Sequence, residues 1–231
     1  MGYRLDMRVT KTKNIAPVKA GRRRGGRPST AQAAKLKDKI LDAAADVFFT
    51  DGYGAASIEA IASRARIAKR TLYSRFRDKA ELFEAVVHHV IETLRPANTE
   101  QIFRGTGPEI LHHIAQTILH AALNPQAIAL HRLIIAEAMR FPELNEVMAH
   151  VGAREEAVTR IAGLLEQETR LKNLNIKPAD TVFAAEQFLQ MIVSVPQRRA
   201  MGLGKPMTPR ELDTWATNTV RLFLDGCRHT S

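Results

Sequence analysis

The stretch "KRTLYSRFRDKAELF", residues 69–83, decides the fold of the first third of the chain. Leu72 and Phe76 stand four residues apart and give a short predicted helix one apolar face. A helix of about two turns is not stable alone in water, so it must be docked on its neighbours. Asp78 and Glu81 then have the spacing of a capping box and predict the start of a longer amphipathic helix.

The remaining surface of this short helix, predicted over residues 69–76, is basic. The side chains at helical spacing around it are Arg66, Lys69, Arg70, Tyr73 and Arg77. Upstream, Ser57 is placed to cap another short helix. Two short helices joined by a tight turn, with the second one docked, predict a helix-turn-helix, whose second helix fits the major groove of DNA.

The chemistry of these side chains suits DNA. Tyr73 carries a phenol on a stiff arm, which suits a phosphate oxygen. Lys69 and Arg70 can reach phosphates or a guanine edge, and Thr71 a thymine methyl group or a phosphate. Lys79, like Ser57, stands at the start of a helix, where free backbone N–H groups favour phosphate.

The charge of the chain is concentrated at one end. Residues 1–80 contain 19 Lys and Arg against 7 Asp and Glu, and the rest of the chain contains 15 against 17. A basic first third indicates a polyanionic partner, nucleic acid first and an acidic membrane surface second. The segment "GRRRGGRP" predicts a flexible basic arm over residues 1–28, in which Arg22, Arg23 and Arg24 assist DNA binding. The alternative is a solvated tail that only aids solubility.

The residues after the arm predict helices throughout and hence an all-α fold. We expect a helix-turn-helix domain over residues 29–80 and a helical effector-binding and dimerisation domain over residues 81–231. In the second domain the predicted helices cover residues 108–123, 125–140, 142–174, 178–195 and 209–226. Cys227 is the one cysteine, no apolar run is long enough to span a bilayer, and the first residues lack the apolar core of a secretory signal. These features predict a cytoplasmic protein without membrane contact.

Residues 36–83 resemble the DNA-binding domain of the TetR/AcrR family of bacterial transcriptional regulators. The resemblance rests on the combination of "A…FF..GY..AS", "I..IA..A" and "K.TLY..F..K..L". It implies an all-helical homodimer that represses transcription at a palindromic operator until a small molecule releases it. Carried over position by position, the family's DNA contacts fall on Ser57, Lys69, Arg70, Thr71, Tyr73, Arg75 and Lys79.

Three positions depart from the commonest family pattern. Ile67 and Ala68 stand where valine and serine are frequent, so the serine cap at the start of the recognition helix is missing. Arg70 stands where glycine is common, and a large donor there implies a different operator preference.

The segment "LHRLIIAEAMRFPEL", residues 130–144, resembles the C-terminal region of an AefR-like branch. In family terms the last two helices form a four-helix bundle in the dimer. The apolar residues that mark them are Phe183, Ala184, Phe188, Met191, Ile192 and Val195 in one, and Leu212, Trp215, Thr219, Leu222 and Phe223 in the other. The alternative is that both stripes belong to the core of a single chain.

The effector is expected among the middle helices, where polar side chains interrupt apolar faces. The candidates are His113, Gln116, His120, His131, Gln187 and Met191. The many apolar residues favour a small apolar or aromatic effector. Neither a metal site nor a cofactor is predicted, since the histidines lack an i, i+4 pair and a cysteine partner.

Three functions remain to be weighed. The first is the effector-responsive repressor, and the second is a regulatory or architectural DNA-binding dimer without an effector. A helical enzyme ranks last, since the sequence has no glycine-rich phosphate loop, no GxSxG turn and no paired-histidine motif. An apolar cavity in the second domain favours the first function, and a sealed core favours the second.

Overall fold

The computed structural model describes residues 30–96, 102–171 and 173–227. These residues form α-helices and no β-strand, which confirms the all-α fold. A 3-10 turn, Pro178–Asp180, precedes the helix that begins at Thr181. The α-helices in chain order are α1 (Thr30–Asp51), α2 (Ile58–Ala65), α3 (Lys69–Tyr73), α4 (Lys79–Leu94), α5 (Gly107–Ala122), α6 (Pro125–Glu137), α7 (Glu143–Val151), α8 (Ala153–Arg170), α9 (Thr181–Ala200) and α10 (Pro209–Cys227).

The first hydrophobic core holds together α1, α2 and α3, which we call the head. The rings of Phe48, Tyr53 and Phe83 lie at its centre, with centroids 5.2 to 5.8 Å apart. The same core includes buried side chains of α6 and α7, namely Leu130, Leu133, Leu144 and Val147. Burial of such a side chain stabilises a fold by about 1.5–3 kcal/mol. The head is therefore completed by helices from the C-terminal part of the chain.

The connections within the head follow the sequence signals. Gly52 ends α1 with a φ of 83°, a conformation that glycine adopts without a Cβ clash. Ser57 caps α2, since its side-chain oxygen accepts a hydrogen bond from the backbone N–H of Ala60 at 3.1 Å. The short α3 is docked through Leu72, which is buried, and through the partly buried Phe76 that follows it.

The recognition helix α3 is shorter than predicted, and the boundary at residue 76 is wrong. The helix ends at Tyr73, because the hydroxyl of Ser74 donates to the carbonyl of Thr71 at 2.9 Å. Serine side chains compete in this way with helical hydrogen bonds. The predicted basic face is shortened with it: Arg66 and Arg77 lie in the flanking turns, outside α3.

The predicted helix over residues 142–174 is also wrong, because the structure has two helices there. Gly152 separates α7 from α8 and has a φ of 62°. A left-handed residue cannot continue a right-handed helix, so the chain turns at this glycine.

Helix α9 extends beyond its predicted end at residue 195 and passes through Pro196 to Ala200. Proline has no backbone N–H, so the carbonyl of Ile192, four residues earlier, loses its helical partner. The indole Nε1–H of Trp215 in α10 donates to this carbonyl at 2.9 Å. The side chain of one helix therefore replaces the hydrogen bond that proline removes from the other.

The second hydrophobic core lies among α5, α8, α9 and α10. Phe188 and Phe223 meet there with ring centroids 5.0 Å apart. Ile192 and Thr219 are buried in the same region, so these parts of the two apolar stripes belong to the core of one chain. Other members face outward: Phe183 is 64% exposed and Leu222 is 66% exposed.

None of the helices in the described ranges has the length and apolar character that a membrane crossing requires.

Candidate nucleic-acid interface

The exposed side of α3 carries the side chains that the sequence singled out. Tyr73 is 51% exposed, and Lys69 and Arg70 are exposed beside it. Thr71 is half-buried, so less of its side chain reaches the surface. Because Leu72 anchors the opposite side, the helix presents a small basic surface around one phenol.

Lys69 is held by a carboxylate of the preceding helix. Its ammonium group donates to Glu59, and it lies 5.6 Å from the ring centroid of Tyr73. This hydrogen bond lowers the pKa of Glu59 and raises the pKa of Lys69. A phosphate must therefore compete with Glu59 for Lys69.

Arg70 and Arg75 are unpaired cations of this surface. Both are exposed, and neither side chain has a hydrogen bond or ion pair with any residue in the described ranges. Arg75 borders a depression of about 390 Å³, whose charged and polar lining residues also include Lys37, Glu81, Glu84 and His88. Unpaired guanidinium groups suit phosphate and guanine edges, because they can donate two parallel hydrogen bonds.

Lys79 has a different environment from the one expected of a phosphate contact. Its ammonium group donates to the carbonyls of Tyr53 at 2.8 Å, Gly54 at 3.3 Å and Ala56 at 3.4 Å. It also lies 4.5 Å from the ring centroid of Tyr53. In this arrangement Lys79 holds the loop between α1 and α2, and all three of its donors face the protein.

Helix α4 begins at the predicted cap, Asp78, but the second hydrogen bond of the predicted capping box is replaced by another. The carboxylate of Asp78 accepts from the backbone N–H of Glu81 at 2.8 Å. Glu81 does not return this bond to Asp78, as a capping box would. It accepts from the backbone N–H of Arg77 at 2.7 Å and from its Nε at 3.1 Å, and these bonds lower the pKa of Glu81.

The predicted contacts of the N-terminal arm, Arg22, Arg23 and Arg24, lie outside the described residues. Ser57 lies within them and is exposed at the start of α2. Since its oxygen already accepts from Ala60, its hydroxyl hydrogen is the part available to a phosphate.

A cleft of about 490 Å³ lies between the end of α4, the exposed side of α5 and the start of α6. This volume is in the range of small-molecule sites. The cleft brings together two of the six predicted effector residues, Gln116 and His120. Its lining residues are Thr93, Leu94, Arg95, Pro96, Gln116, Thr117, His120 and Asn124.

The other four predicted effector residues do not line this cleft. His113 and Gln187 are exposed elsewhere, on α5 and α9. Met191 is partly buried against the second core. His131 is half-buried on α6, and this burial lowers its pKa.

Sequence reasoning missed four of the six polar side chains of the cleft, including Thr117 and Asn124. Thr117 adjoins Gln116 on α5, and Asn124 caps α6 by accepting from the N–H of Gln126 at 2.9 Å. The signal for Asn124 was present, since Asn before Pro marks a helix start. The presence of Arg95 in the cleft could not be predicted from the sequence. Its side chain is positioned by ion pairs with Glu92 and with the distant Glu156, each at 2.9 Å.

Two family models match the chain. Residues 40–86 match "Bacterial regulatory proteins, tetR family", and residues 109–226, just over half of the chain, match "AefR-like transcriptional repressor, C-terminal domain". The HTH-type transcriptional activator FasR of Mycolicibacterium smegmatis is 38% identical over 74 residues, which is 32% of either chain. The HTH-type transcriptional regulator UidR of Escherichia coli K12 is 28% identical over 120 residues, 51% of this chain and 59% of UidR. The chain thus spans about a third of one relative and three fifths of the other.

Solved structures match over a larger share. A TetR-family regulator from Mesorhizobium loti MAFF303099 is 27% identical with a TM-score of 0.71, and the match covers 86% of this chain and 99% of that one. The flavonoid-responsive regulator FrrA is also 27% identical, with a TM-score of 0.68 over 86% of this chain and 100% of FrrA. A TetR regulator from Agrobacterium tumefaciens, 24% identical with a TM-score of 0.65 over 83% and 94% of the two chains, shares the fold. The chain therefore belongs to the TetR family of bacterial regulatory proteins, a family of transcriptional regulators and not of enzymes.

Proposed function

We propose that the protein is a homodimeric repressor that binds a palindromic operator in the cytoplasm and is released from it by a small-molecule effector. The observation that carries the proposal is the docked helix α3, which exposes Tyr73 between Arg70 and Arg75. Tyr73 anchors a phosphate, and Arg70 reads a base edge in the major groove. Arg75 and Ser57 bind flanking phosphates.

Lys69 and Lys79 have conditional roles in this proposal. Lys69 can bind a DNA phosphate only after its ion pair with Glu59 is broken, since the two side chains are paired in the structure. Lys79 supports DNA binding indirectly, because its ammonium group donates hydrogen bonds to the carbonyls of the loop that positions α2. The three arm arginines, Arg22, Arg23 and Arg24, add contacts outside the major groove.

The proposed dimer forms through α9 and α10. Val182 and Phe183 of α9 and Leu222 of α10 are large apolar side chains that are 57%, 64% and 66% exposed. Contact with the same helices of a second copy would bury them in a two-fold interface. Two-fold symmetry is also what a palindromic operator requires of its reader.

The proposed effector site is the cleft between α4, α5 and α6. Its hydrogen-bonding side chains, including Gln116 and His120, favour an aromatic effector that carries hydroxyl or carbonyl groups. The similarity to FrrA, described as flavonoid-responsive, supports an aromatic compound. We keep His113, His131, Gln187 and Met191 as contacts only for an effector that reaches beyond the cleft.

Repression is favoured over activation by the coverage of the comparisons. The family model described as a transcriptional repressor matches residues 109–226, whereas the similarity to the activator FasR covers 32% of the chain. We place the division between the two domains at residue 80. The buried Leu144 and Val147 support a tight contact between the domains across this division.

The proposal is tested by selecting sites from a random pool of DNA duplexes with the full chain. We expect an enriched inverted repeat, an affinity that falls steeply as salt rises, and two protein chains per site by sedimentation. Tyr73→Phe should weaken binding to all duplexes, and Arg70→Ala should also relax the preference at one base pair of each half-site. Salt-sensitive binding without an enriched sequence would favour the effector-independent architectural dimer. No binding at all would contradict both.

A further inference from the structure

Arg66 occupies the turn between α2 and α3 in a conformation that glycine normally adopts. Its φ is 53° and its ψ is 49°, and it is the one residue other than glycine with a positive φ in the described ranges. The conformation closes α2, since the backbone N–H of Arg66 donates toward the carbonyls of Ala62 and Ser63. A glycine would make the same hydrogen bonds, because they involve only the backbone.

An arginine is strained at this position. The left-handed region brings Cβ too close to the backbone, and glycine avoids the clash because it has no Cβ. The turn itself therefore gives no reason for a side chain here, and replacement by glycine should stabilise the fold.

The side chain of Arg66 gives no compensating contact within the molecule. It is exposed, and it has no ion pair or side-chain hydrogen bond with the residues that the structure describes. Its basic neighbours differ: Arg64 is paired with Asp46 at 3.4 Å, and Lys69 is paired with Glu59. Arg66 is thus a strained residue with a free guanidinium group, three residues before the recognition helix. Strain of this kind is kept where function requires it.

We propose that Arg66 binds a DNA phosphate beside the start of α3 and so fixes the depth and register of the recognition helix. The inference rests on the proposed function and deepens it, by adding a contact in the turn before α3, at a position that is not among the DNA contacts carried over from the family. A guanidinium group can donate two parallel hydrogen bonds to one phosphate, and an anchor next to Lys69 and Arg70 restrains the helix end that meets the bases.

The test compares Arg66→Gly, Arg66→Ala and the unchanged full chain by thermal unfolding and by titration of the selected operator and a random duplex at several salt concentrations. Arg66→Gly should unfold about 2–4 °C higher, since it relieves the strain. It should also bind both duplexes about 5- to 20-fold more weakly at low salt, with a log–log salt slope smaller by about one. Arg66→Ala should lose the same affinity and slope without the gain in unfolding temperature, because alanine keeps the strained Cβ.

Arg64→Ala is the matched control, because it removes a positive charge two residues away that is already paired with Asp46. It should change the slope by less than half as much as Arg66→Gly. If the unchanged protein binds the operator but Arg66→Gly binds equally well at every salt concentration, the inference is wrong and the proposed function stands. If the unchanged protein binds no duplex, both fall.

Discussion

Glu59 and Lys69 form an ion pair across the turn of the helix-turn-helix, on the surface that we propose meets DNA. The carboxylate repels phosphates and occupies the ammonium group that would attract one. Both side chains are about half-exposed, at 58% and 49%, so the pair adds little to the stability of the fold. We therefore expect its main effect to be on DNA binding.

Glu59→Gln should therefore strengthen DNA binding. We expect a gain of about 3- to 10-fold at low salt and a salt slope steeper by up to about one, because Lys69 is released and a negative charge is removed. The measurement is fluorescence anisotropy with a labelled duplex at several salt concentrations. Asp46→Asn, which frees Arg64 instead, is the control and should give a smaller gain. An unchanged slope in Glu59→Gln would mean that Lys69 stays away from the phosphates.

Tyr53 is a buried phenol in the loop between α1 and α2, and it makes stability sensitive to alkaline pH. Burial, followed by the charge and hydrogen bond of Glu143, raises its pKa well above the ordinary value of 10.0. The raised pKa means that the folded chain keeps the phenol protonated while the unfolded chain ionises it. The contribution is complete below pH 10 and is lost as the pH rises from there toward the folded pKa.

We expect the free energy of unfolding to fall above pH 10 by up to about 1.4 kcal/mol per pH unit from this group. Tyr53→Phe should be less stable at neutral pH by about 1 kcal/mol, since it loses the hydrogen bond to Glu143, but its stability should fall less steeply above pH 10. Urea unfolding at a series of pH values measures both. Tyr73→Phe is the control and should keep the steep fall, because it removes an exposed phenol and leaves Tyr53 in place. If the free energy of unfolding falls equally steeply with pH in all three proteins, the pKa of Tyr53 is not raised in the folded chain.

At the scale of elements, α9 and α10 depend on a hydrogen bond that neither helix provides alone. The carbonyl of Ile192 lacks its helical partner because of Pro196, and Trp215 supplies a donor at 2.9 Å. Trp215→Phe should therefore destabilise the protein by about 1–3 kcal/mol, because the carbonyl is left unsatisfied in the second core. In Pro196→Ala the backbone N–H of residue 196 can bind this carbonyl.

A double-mutant cycle separates this effect from lost packing. Trp215→Phe should destabilise the Pro196→Ala protein by about 1 kcal/mol less than it destabilises the unchanged protein, as measured by urea unfolding. The same loss in both backgrounds would show that the indole acts through packing alone.

The elements show which features sequence reasoning can reach. Caps are local, so Ser57 and Asp78 were placed correctly from neighbouring residues. The end of α9 was not, because the partner that lets the helix pass Pro196 is Trp215, 23 residues from the acceptor Ile192. The same limit applies to the candidate nucleic-acid interface, where contacts between residues distant in the sequence could not be predicted. The basic surface was predicted from the helical spacing of its side chains. The hydrogen bonds from Lys79 to loop carbonyls 23 to 26 residues away could not be predicted, because they form only in the folded chain.

At the scale of the whole molecule, α4 and α6 join the cleft to the head. The C-terminal end of α4 and the cap of α6 line the cleft, at Thr93 and Asn124. The other end of α6 meets the loop that follows α1: Glu137 accepts from the backbone N–H of Gly54 at 2.7 Å, and the ring of Phe141 lies 5.1 Å from that of Tyr53. A shift of α6 caused by a ligand in the cleft would therefore move this loop and the helix α2 that follows it.

The Glu137–Gly54 hydrogen bond is the most direct polar link in this path, so its removal should loosen the head selectively. Glu137→Ala should lower the free energy of local opening of the head by about 1–3 kcal/mol, since a charged acceptor is lost from a backbone donor. Hydrogen exchange should quicken at residues 52–56 and leave α9 and α10 unchanged, because those helices belong to the second core. Glu146→Ala, an exposed glutamate on α7, is the control and should exchange like the unchanged protein. A uniform increase in exchange along the chain would mean that Glu137 stabilises the whole fold and does not link α6 to the head.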